Sequence, residues 1–231
     1  SDARDPGDAV IAGECGSGRP AQNSSWHGTH VAGTIGAATN NGVGVAGVAY
    51  GAKVVPVRVL GKCGGYTSDI ADGIIWASGG TVSGAPANAN PAKVLNMSLG
   101  GSGACSTTSQ AAINSARSRG SVVIVAAGNS NINASNANPA NCAGVVTIAA
   151  TVKTGGRASY SNYGAVVDLA APGGGTGGGV LSTLNTGTRA PLADNYAFYQ
   201  GTSMATPHVA GVAALMLAKN ANLTPDEVEA K

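Results

Sequence analysis

Aromatic residues are scarce in this 231-residue chain, at 4 % of the total with a single Phe. The core must therefore be assembled mainly from Val, Ala, Ile and Leu. Charged residues are scarce as well, 10 % against a usual share of about 25 %. The net charge of +2 is not gathered into a Lys/Arg cluster, so there is no electrostatic footprint for nucleic acid. No apolar run approaches the roughly 18 residues that would mark a membrane span. None of the four cysteines stands in a CxxC pair, which weakens zinc-ribbon and thioredoxin-like readings. The glycines carry no three-residue period, which excludes collagen.

What is present suits one globular domain. Hydrophobic residues make up 43 %, enough for a sizeable core. The 36 glycines permit tight turns and close approach of backbone to backbone or to a ligand. Four widely spaced cysteines, Cys15, Cys63, Cys105 and Cys142, suit two disulfides in an exported protein, with four reduced buried thiols as the alternative. The sequence starts with Ser rather than Met and shows no signal-peptide pattern, and the expectation is that processing or truncation has removed what came before. The polar stretch 1–23 lacks a strong strand, and TPDEVEAK opens a helix with Thr224 as N-cap, Pro225 at N1 and Glu227 at N3, only seven residues before the chain stops. The expectation is a single domain over residues 1–231, an internal slice of a larger protein cut at both ends.

From about residue 50 the sequence alternates apolar strand-like runs with helical patterns. Strands are expected at Lys53–Leu60, Val94–Ser98, Val122–Ala127 and Val145–Ala150. Helices are expected at Ser68–Ser78 with Ser68 as N-cap, at Ser109–Gly120 with Gly120 closing it, and from near Ser203 through Lys219. Apolar strands separated by helices indicate an α/β architecture with a mainly parallel sheet covered on both faces. Ligands in such sheets sit at the carboxyl ends of the strands, so the loops leaving Ser98 and Ala127 are the first places for chemistry.

Three segments there could carry it. In WHGTHVAGTIG, His27 and His30 share a face if helical; a metal pair is conceivable, but HExxH is absent and a structural role is the plainer reading. In AAGNS, Asn129 either aims its amide at a ligand or makes a turn. In QGTSMATPHVAGVAAL, Ser203 begins an apolar helix, where unpaired N–H groups and the helix dipole favour negative charge; a simple N-cap is the alternative. Taken together, HGTHVAGT, AAGN and GTSMATPHVAG resemble the histidine, oxyanion and serine motifs of the subtilisin-like serine proteases, in the same chain order from about His27 to Pro225.

The resemblance implies a three-layer subtilisin-like fold, here without its N-terminal strand or strands and its C-terminal end. It implies a secreted serine endopeptidase, monomeric, made with a propeptide and acting on polypeptide substrates. His27 would be the general base and Ser203 the nucleophile, with the Asn129 amide and the Ser203 N–H as oxyanion hole. His30 and His208 match buried structural positions. Ser98, Leu99, Gly100 and Gly101 would pair with the substrate backbone, opposite Gly64, Gly65 and Tyr66. Ala126, Ala127 and Gly128, with residues 137–139, would complete a roomy apolar first pocket. Thr39, Asn41, Val43 and Val45 resemble part of a Ca²⁺ loop whose remaining ligands lie upstream, and Asp2, Asp5 and Asp8 form either a second calcium cluster or a solvated loop. The disulfides compatible with this layout are Cys15–Cys63 and Cys105–Cys142. Met204, next to the nucleophile, would make activity sensitive to peroxide if its sulfur is exposed.

The sequence departs from the family at the third triad member. Asp5-Pro6-Gly7 does not follow an apolar strand, and the expectation is that the triad Asp lies upstream of Ser1, leaving this chain impaired. A catalytically inactive peptide-binding relative is the alternative, against which stand the retained His27, Asn129 and Ser203. A lipase-like hydrolase would need G-x-S-x-G, which is absent around Ser203. Residues 173–179, GGGTGGG, fit a dinucleotide fingerprint but lead into VLST, a strand-like run, which favours a loop.

Overall fold

The computed structural model describes residues 5–231. The elements run α1 (His27–Gly36), α2 (Thr67–Ala77), β1 (Val94–Met97), β2 (Gly101–Ser102), α3 (Thr107–Ser118), β3 (Val122–Ala126), β4 (Ala137–Asn138), β5 (Val146–Thr151), β6 (Leu169–Pro172), β7 (Val180–Asn185), β8 (Asp194–Tyr199), α4 (Thr202–Lys219) and α5 (Pro225–Glu229). The central sheet has the order β1-β3-β5-β6 and every pairing in it is parallel. Two antiparallel pairs, β2 with β4 and β7 with β8, lie outside it.

Strand periodicity builds three layers from this sheet. Successive side chains point to opposite faces. Leu95, Met97, Val123 and Val125 accordingly pack with Ala71 and Ile74 of α2 and with Ala112, Ile113 and Ala116 of α3. Val122, Ile124, Val146 and Ile148 face the other way, onto Ala205, Ala210, Ala213 and Leu217 of α4. Every residue of β3 is buried, which is why its VVIVA run is apolar without alternation. This is the mainly parallel, three-layer α/β arrangement expected from the sequence.

Helix ends follow their capping chemistry. Ser106 caps α3, its hydroxyl accepting from Ser109 N at 3.0 Å, and Gly120 just beyond the helix adopts φ +80°. Thr224 and Glu227 form the expected capping box on α5, with Glu227 N donating to Thr224 Oγ1 at 3.3 Å and Thr224 N to Glu227 Oε2 at 2.8 Å. Arg117 ties α3 to α5 through ion pairs with Asp226 and Glu229. The start of α2 differs from the sequence expectation: Tyr66 occupies the N-cap in extended geometry (φ −87°, ψ 146°) and Ser68 lies inside the first turn, where it caps nothing.

The apolar run Lys53–Leu60 also differs, because it forms no ladder with any described residue. Its half-buried valines explain the pattern. Val57 and Val59 lie against α2, where a Cβ on Gly73 would come within 2.4 Å of Val59 Cγ1. The run is apolar because one side is packed, yet its backbone groups have no neighbouring strand to pair with among the described residues. Conversely, the β7–β8 hairpin carries little local signal beyond the strand-like VLST that opens β7, since its residues are mostly half-buried or exposed.

Candidate active site

Ser203 lies in the first turn of α4, a turn hydrogen-bonded to Ser98 after β1 and to Asn129 after β3. Gly201 is the N-cap, and the N–H groups of Met204 and Ala205 return to its carbonyl at 3.0 and 3.3 Å. The Ser203 N–H makes no hydrogen bond among the described residues, as first-turn donors of a helix commonly do not. The Ser203 hydroxyl donates to Ser98 O at 3.3 Å, while Ser98 Oγ donates to Ser203 O at 2.8 Å. This reciprocal pair locks the serine turn to the end of β1. Pro207 lies inside α4 and has no N–H to return to Ser203 O, and Ser98 Oγ donates to that carbonyl instead.

Asn129 follows β3 on the loop expected to carry chemistry. Its Oδ1 accepts from Thr202 N at 2.8 Å and from Thr202 Oγ1 at 2.9 Å. Two donors on one amide oxygen fix which way the amide points. The Nδ2 donors are left without a partner among the described residues, on an exposed side chain beside the serine turn. Thr202 is itself fully buried, and its hydroxyl also accepts from Gly128 N at 3.2 Å. One threonine thus fastens the Asn129 loop to the helix that carries Ser203.

His27 opens α1, preceded by Trp26, which is buried and strained into left-handed geometry at φ 50°. The Trp26 indole donates to Gly187 O at 2.6 Å, which anchors the entry to α1. The His27 ring makes no hydrogen bond to a described residue. Burial, followed by repulsion from His30, holds its pKa below the ordinary value of about 6.5, while the Asp8 carboxylate works in the opposite direction. Asp8 is occupied elsewhere, accepting from Ser25 N at 2.6 Å and Ser25 Oγ at 2.7 Å. Asp5 accepts from Gly7 N at 2.9 Å and Thr29 Oγ1 at 3.1 Å. No described carboxylate therefore touches His27.

The other histidines have structural partners. His30 is fully buried, stacks on Tyr199 with centroids 4.5 Å apart, and directs Nε2 at Ala197 O (3.0 Å) and Val180 O (3.1 Å). Two carbonyls at one nitrogen require a proton on Nε2, and burial together with an unpartnered Nδ1 disfavours a second proton, so His30 clamps α1 to the β7–β8 hairpin as the neutral ring. His208 directs Nδ1 at Met204 O, 2.8 Å away and one turn back in α4. Met204 is only 2 % exposed, so the condition for peroxide sensitivity is not met.

A cavity of about 430 Å³ opens in front of Ser203. Its walls include Leu99, Gly100 and Gly101 from one side, Ala126, Ala127, Gly128 and Asn129 from the other, and Ala137 and Asn138 at the far end. Ser98 joins this edge through its bonds to Ser203. Ile132, Asn162 and Thr202 also line the cavity, and none of the lining side chains is ionisable. Gly64, Gly65 and Tyr66 do not line it; they form an exposed turn ahead of α2, closed by a Gly61 N to Gly64 O bond of 2.9 Å. Thr202 and Asn162 were not singled out in the sequence as site residues, because their roles rest on partners 30 or more positions away.

The remaining expectations fall around this centre. Thr39, Asn41, Val43 and Val45 line a separate open cavity of about 290 Å³. Its carbonyls and the amide oxygens of Asn40 and Asn41 are hard donors of the kind Ca²⁺ takes, but the lining offers no carboxylate, and Asn41 Oδ1 already accepts from Val43 N at 3.1 Å. No cluster of three or more His, Cys, Asp or Glu occurs among the described residues, and Asp2 lies outside them. Disulfides join Cys15 to Cys63 and Cys105 to Cys142. The first anchors the exposed turn before α2, and the second closes the rim of the 430 Å³ cavity near Asn138. The glycine run 173–179 makes a turn between β6 and β7 with no helix after it, so a dinucleotide site is excluded.

The subtilase family profile matches residues 8–231. An extracellular protease of Xanthomonas campestris is 64 % identical over 99 % of this chain, and an extracellular basic protease of Dichelobacter nodosus is 53 % identical over 97 %. The chain spans about two fifths of the length of these relatives, 39 % and 38 %. A solved protease structure from Pseudoalteromonas arctica superposes with a TM-score of 0.97 at 68 % identity, covering 100 % of this chain and 69 % of its own. A cold-adapted subtilisin-like serine proteinase superposes at 0.70 with 40 % identity, covering 88 % of this chain and 65 % of its own.

Proposed function

The chain belongs to the subtilase family, and we propose on that basis that it carries the nucleophile, base and oxyanion donors of a secreted serine endopeptidase. The supporting observation is one cavity that gathers Ser203, at a helix N-terminus, with an Asn129 amide turned so that its N–H donors are free. Neutral His27 accepts the Ser203 proton as Oγ attacks the scissile carbonyl. The resulting oxyanion takes hydrogen bonds from Asn129 Nδ2 and the Ser203 N–H, charge-assisted and therefore stronger than those to the ground-state carbonyl. Collapse of the intermediate passes the His27 proton to the leaving amine. Water, activated by the same histidine, then hydrolyses the acyl-enzyme.

No carboxylate among the described residues contacts the base, so no residue is assigned as its orienting carboxylate. Such a carboxylate would hold the ring in one tautomer and stabilise the imidazolium, effects worth up to about 10⁴ in kcat in a serine protease. Without it the chain would bind peptide and turn over slowly, which is the specific basis of the second reading, a peptide-binding relative. The substrate lies extended along residues 98–101, with Gly64, Gly65 and Tyr66 as the facing edge. The loop 39–45 would supply neutral oxygen ligands to a Ca²⁺, the Asn41 amide and the carbonyls of Thr39, Val43 and Val45, and the ion would brace the loop rather than enter the chemistry. Secretion, supported by the extracellular relatives, completes the proposal, together with a propeptide and a monomeric state carried over from the family resemblance alone.

The walls contributed by Leu99, Ala126, Ala127 and Ile132 suit an uncharged, apolar side chain at the first pocket. Hydrolysis of peptide anilides that differ only at the residue before the scissile bond tests this. Leu or Phe there is expected to exceed Arg by about tenfold or more in kcat/KM, the discrimination a few methylenes and an unpaired charge give. Equal rates, or a preference for Arg, would overturn the pocket assignment, and hydrolysis undiminished in Ser203→Ala would overturn the whole reading.

A further inference from the structure

Asn162 has no role in the chemistry above, yet its side chain is 2 % exposed and turns toward the loop that carries Asn129. Its Nδ2 donates to Ala127 O at 2.7 Å. Its Oδ1 accepts from Ser130 N at 3.0 Å and from Ile132 N at 3.1 Å. Its backbone N–H adds a bond to Gly128 O at 2.9 Å. One residue thus holds the main chain on both sides of Asn129, at 127, 128, 130 and 132, without touching Asn129 itself. The loop needs such a brace, since Gly128 (φ +102°) and Asn131 (φ +53°) both hold positive φ. The contact is tight: a Cβ on Gly128 would stand 2.4 Å from Asn162 Nδ2.

We propose that Asn162 is a positioning residue for the oxyanion hole, setting the main chain of residues 127–132 so that the Asn129 amide meets the developing oxyanion. The inference rests on the protease reading above and adds a residue to it. Thr202 orients the Asn129 side chain, whereas Asn162 fixes the backbone from which that side chain springs. A displacement of about 1 Å in a catalytic group can cost up to 10²-fold in rate. Because the donor acts on the transition state more than on bound substrate, the loss belongs in kcat rather than in KM.

A double-mutant cycle tests it on the peptide-hydrolysing form of the protein, with Asn162→Ala, Asn129→Ala and the pair together. Asn162→Ala is expected to lower kcat by about 10–100-fold with KM within about threefold. Placed in the Asn129→Ala background, the same change is expected to alter kcat by less than about threefold, since the donor it positions has gone. A kcat within about twofold of the parent, or the same loss in both backgrounds, overturns the proposal. Circular dichroism checks folding first. If Asn162→Ala is unfolded, Asn162→Asp takes its place under the same criteria: it keeps the acceptor for Ser130 and Ile132 and loses the donor to Ala127. Absence of hydrolysis by the unsubstituted protein would remove the protease reading and this inference with it, whereas hydrolysis that the substitution leaves untouched removes the inference alone.

Discussion

Thr202→Val is the sharpest perturbation of the site that leaves shape unchanged. The hydroxyl it removes is fully buried, donates to Asn129 Oδ1 at 2.9 Å and accepts from Gly128 N at 3.2 Å. A typical net hydrogen bond contributes about 1 kcal/mol, and leaving a donor or acceptor unsatisfied in the interior costs about 1–3 kcal/mol. Asn129 keeps its bond from Thr202 N, so the unsatisfied partner is chiefly the Gly128 N–H. The expected loss is about 2–4 kcal/mol. For a domain of this size, 1 kcal/mol corresponds to roughly 2–4 °C, which places the drop in Tm at about 4–16 °C. Thermal unfolding in a Ser203→Ala background, where self-digestion cannot interfere, measures that drop. In the active background, kcat is expected to fall by about tenfold as Asn129 gains freedom, the equivalent of about 1.4 kcal/mol. A Tm within 1 °C of the parent together with an unchanged kcat would show that the threonine does not join the loop to the helix as argued.

Four further outcomes follow from the same geometry. The pKa of His27 lies below its ordinary value because of burial, so kcat/KM should hold through pH 7 and decline on the acid side with a midpoint below about 6.5; a midpoint above 7 in the pH–rate profile would refute the base assignment. His30 and His208 are also held low by burial, so the unfolded chain binds more protons than the native one between the native and the ordinary pKa values. Stability should therefore fall as pH drops through about 6.5 and level off below the native values, and urea titrations showing it rise instead would contradict the buried neutral assignment. Replacing Cys105 and Cys142 by Ser reopens a loop of sequence separation 37, a loss of up to about 4 kcal/mol on the chain-entropy account; denaturant midpoints unchanged by the double substitution would rule that out. Chelation should lower Tm if Ca²⁺ occupies the loop of Asn41, and Asn41→Ala should diminish that effect; equal Tm with and without chelator would end the calcium assignment.

Much of this arrangement is readable from short stretches of sequence. The run from Val122 to Ala126 is apolar at every position because both faces of β3 are covered, and the capping box at Thr224 and Glu227 is complete within four residues. The proposed site residues His27, Asn129 and Ser203 are legible because each stands in a distinctive motif at an element boundary. Other features had no local trace. Lys53–Leu60 reads as a strand because its valines pack on one side, and sequence alone does not show whether a neighbour pairs with its backbone. Of the β7–β8 hairpin only the strand-like VLST of β7 is legible, because exposed and half-buried strands lack a clean apolar alternation. Asn162 and Thr202 escaped for another reason: a buried polar residue looks like any loop or cap residue until the segment it bonds, about 30 and 70 positions away, is brought to it.

Intact-mass spectrometry after exposure to a serine-directed fluorophosphonate tests the central claim that Ser203 is an activated nucleophile. The account requires a single adduct that disappears in Ser203→Ala and forms far more slowly in His27→Ala. Labelling that survives Ser203→Ala, or that proceeds at the same rate without His27, would contradict it.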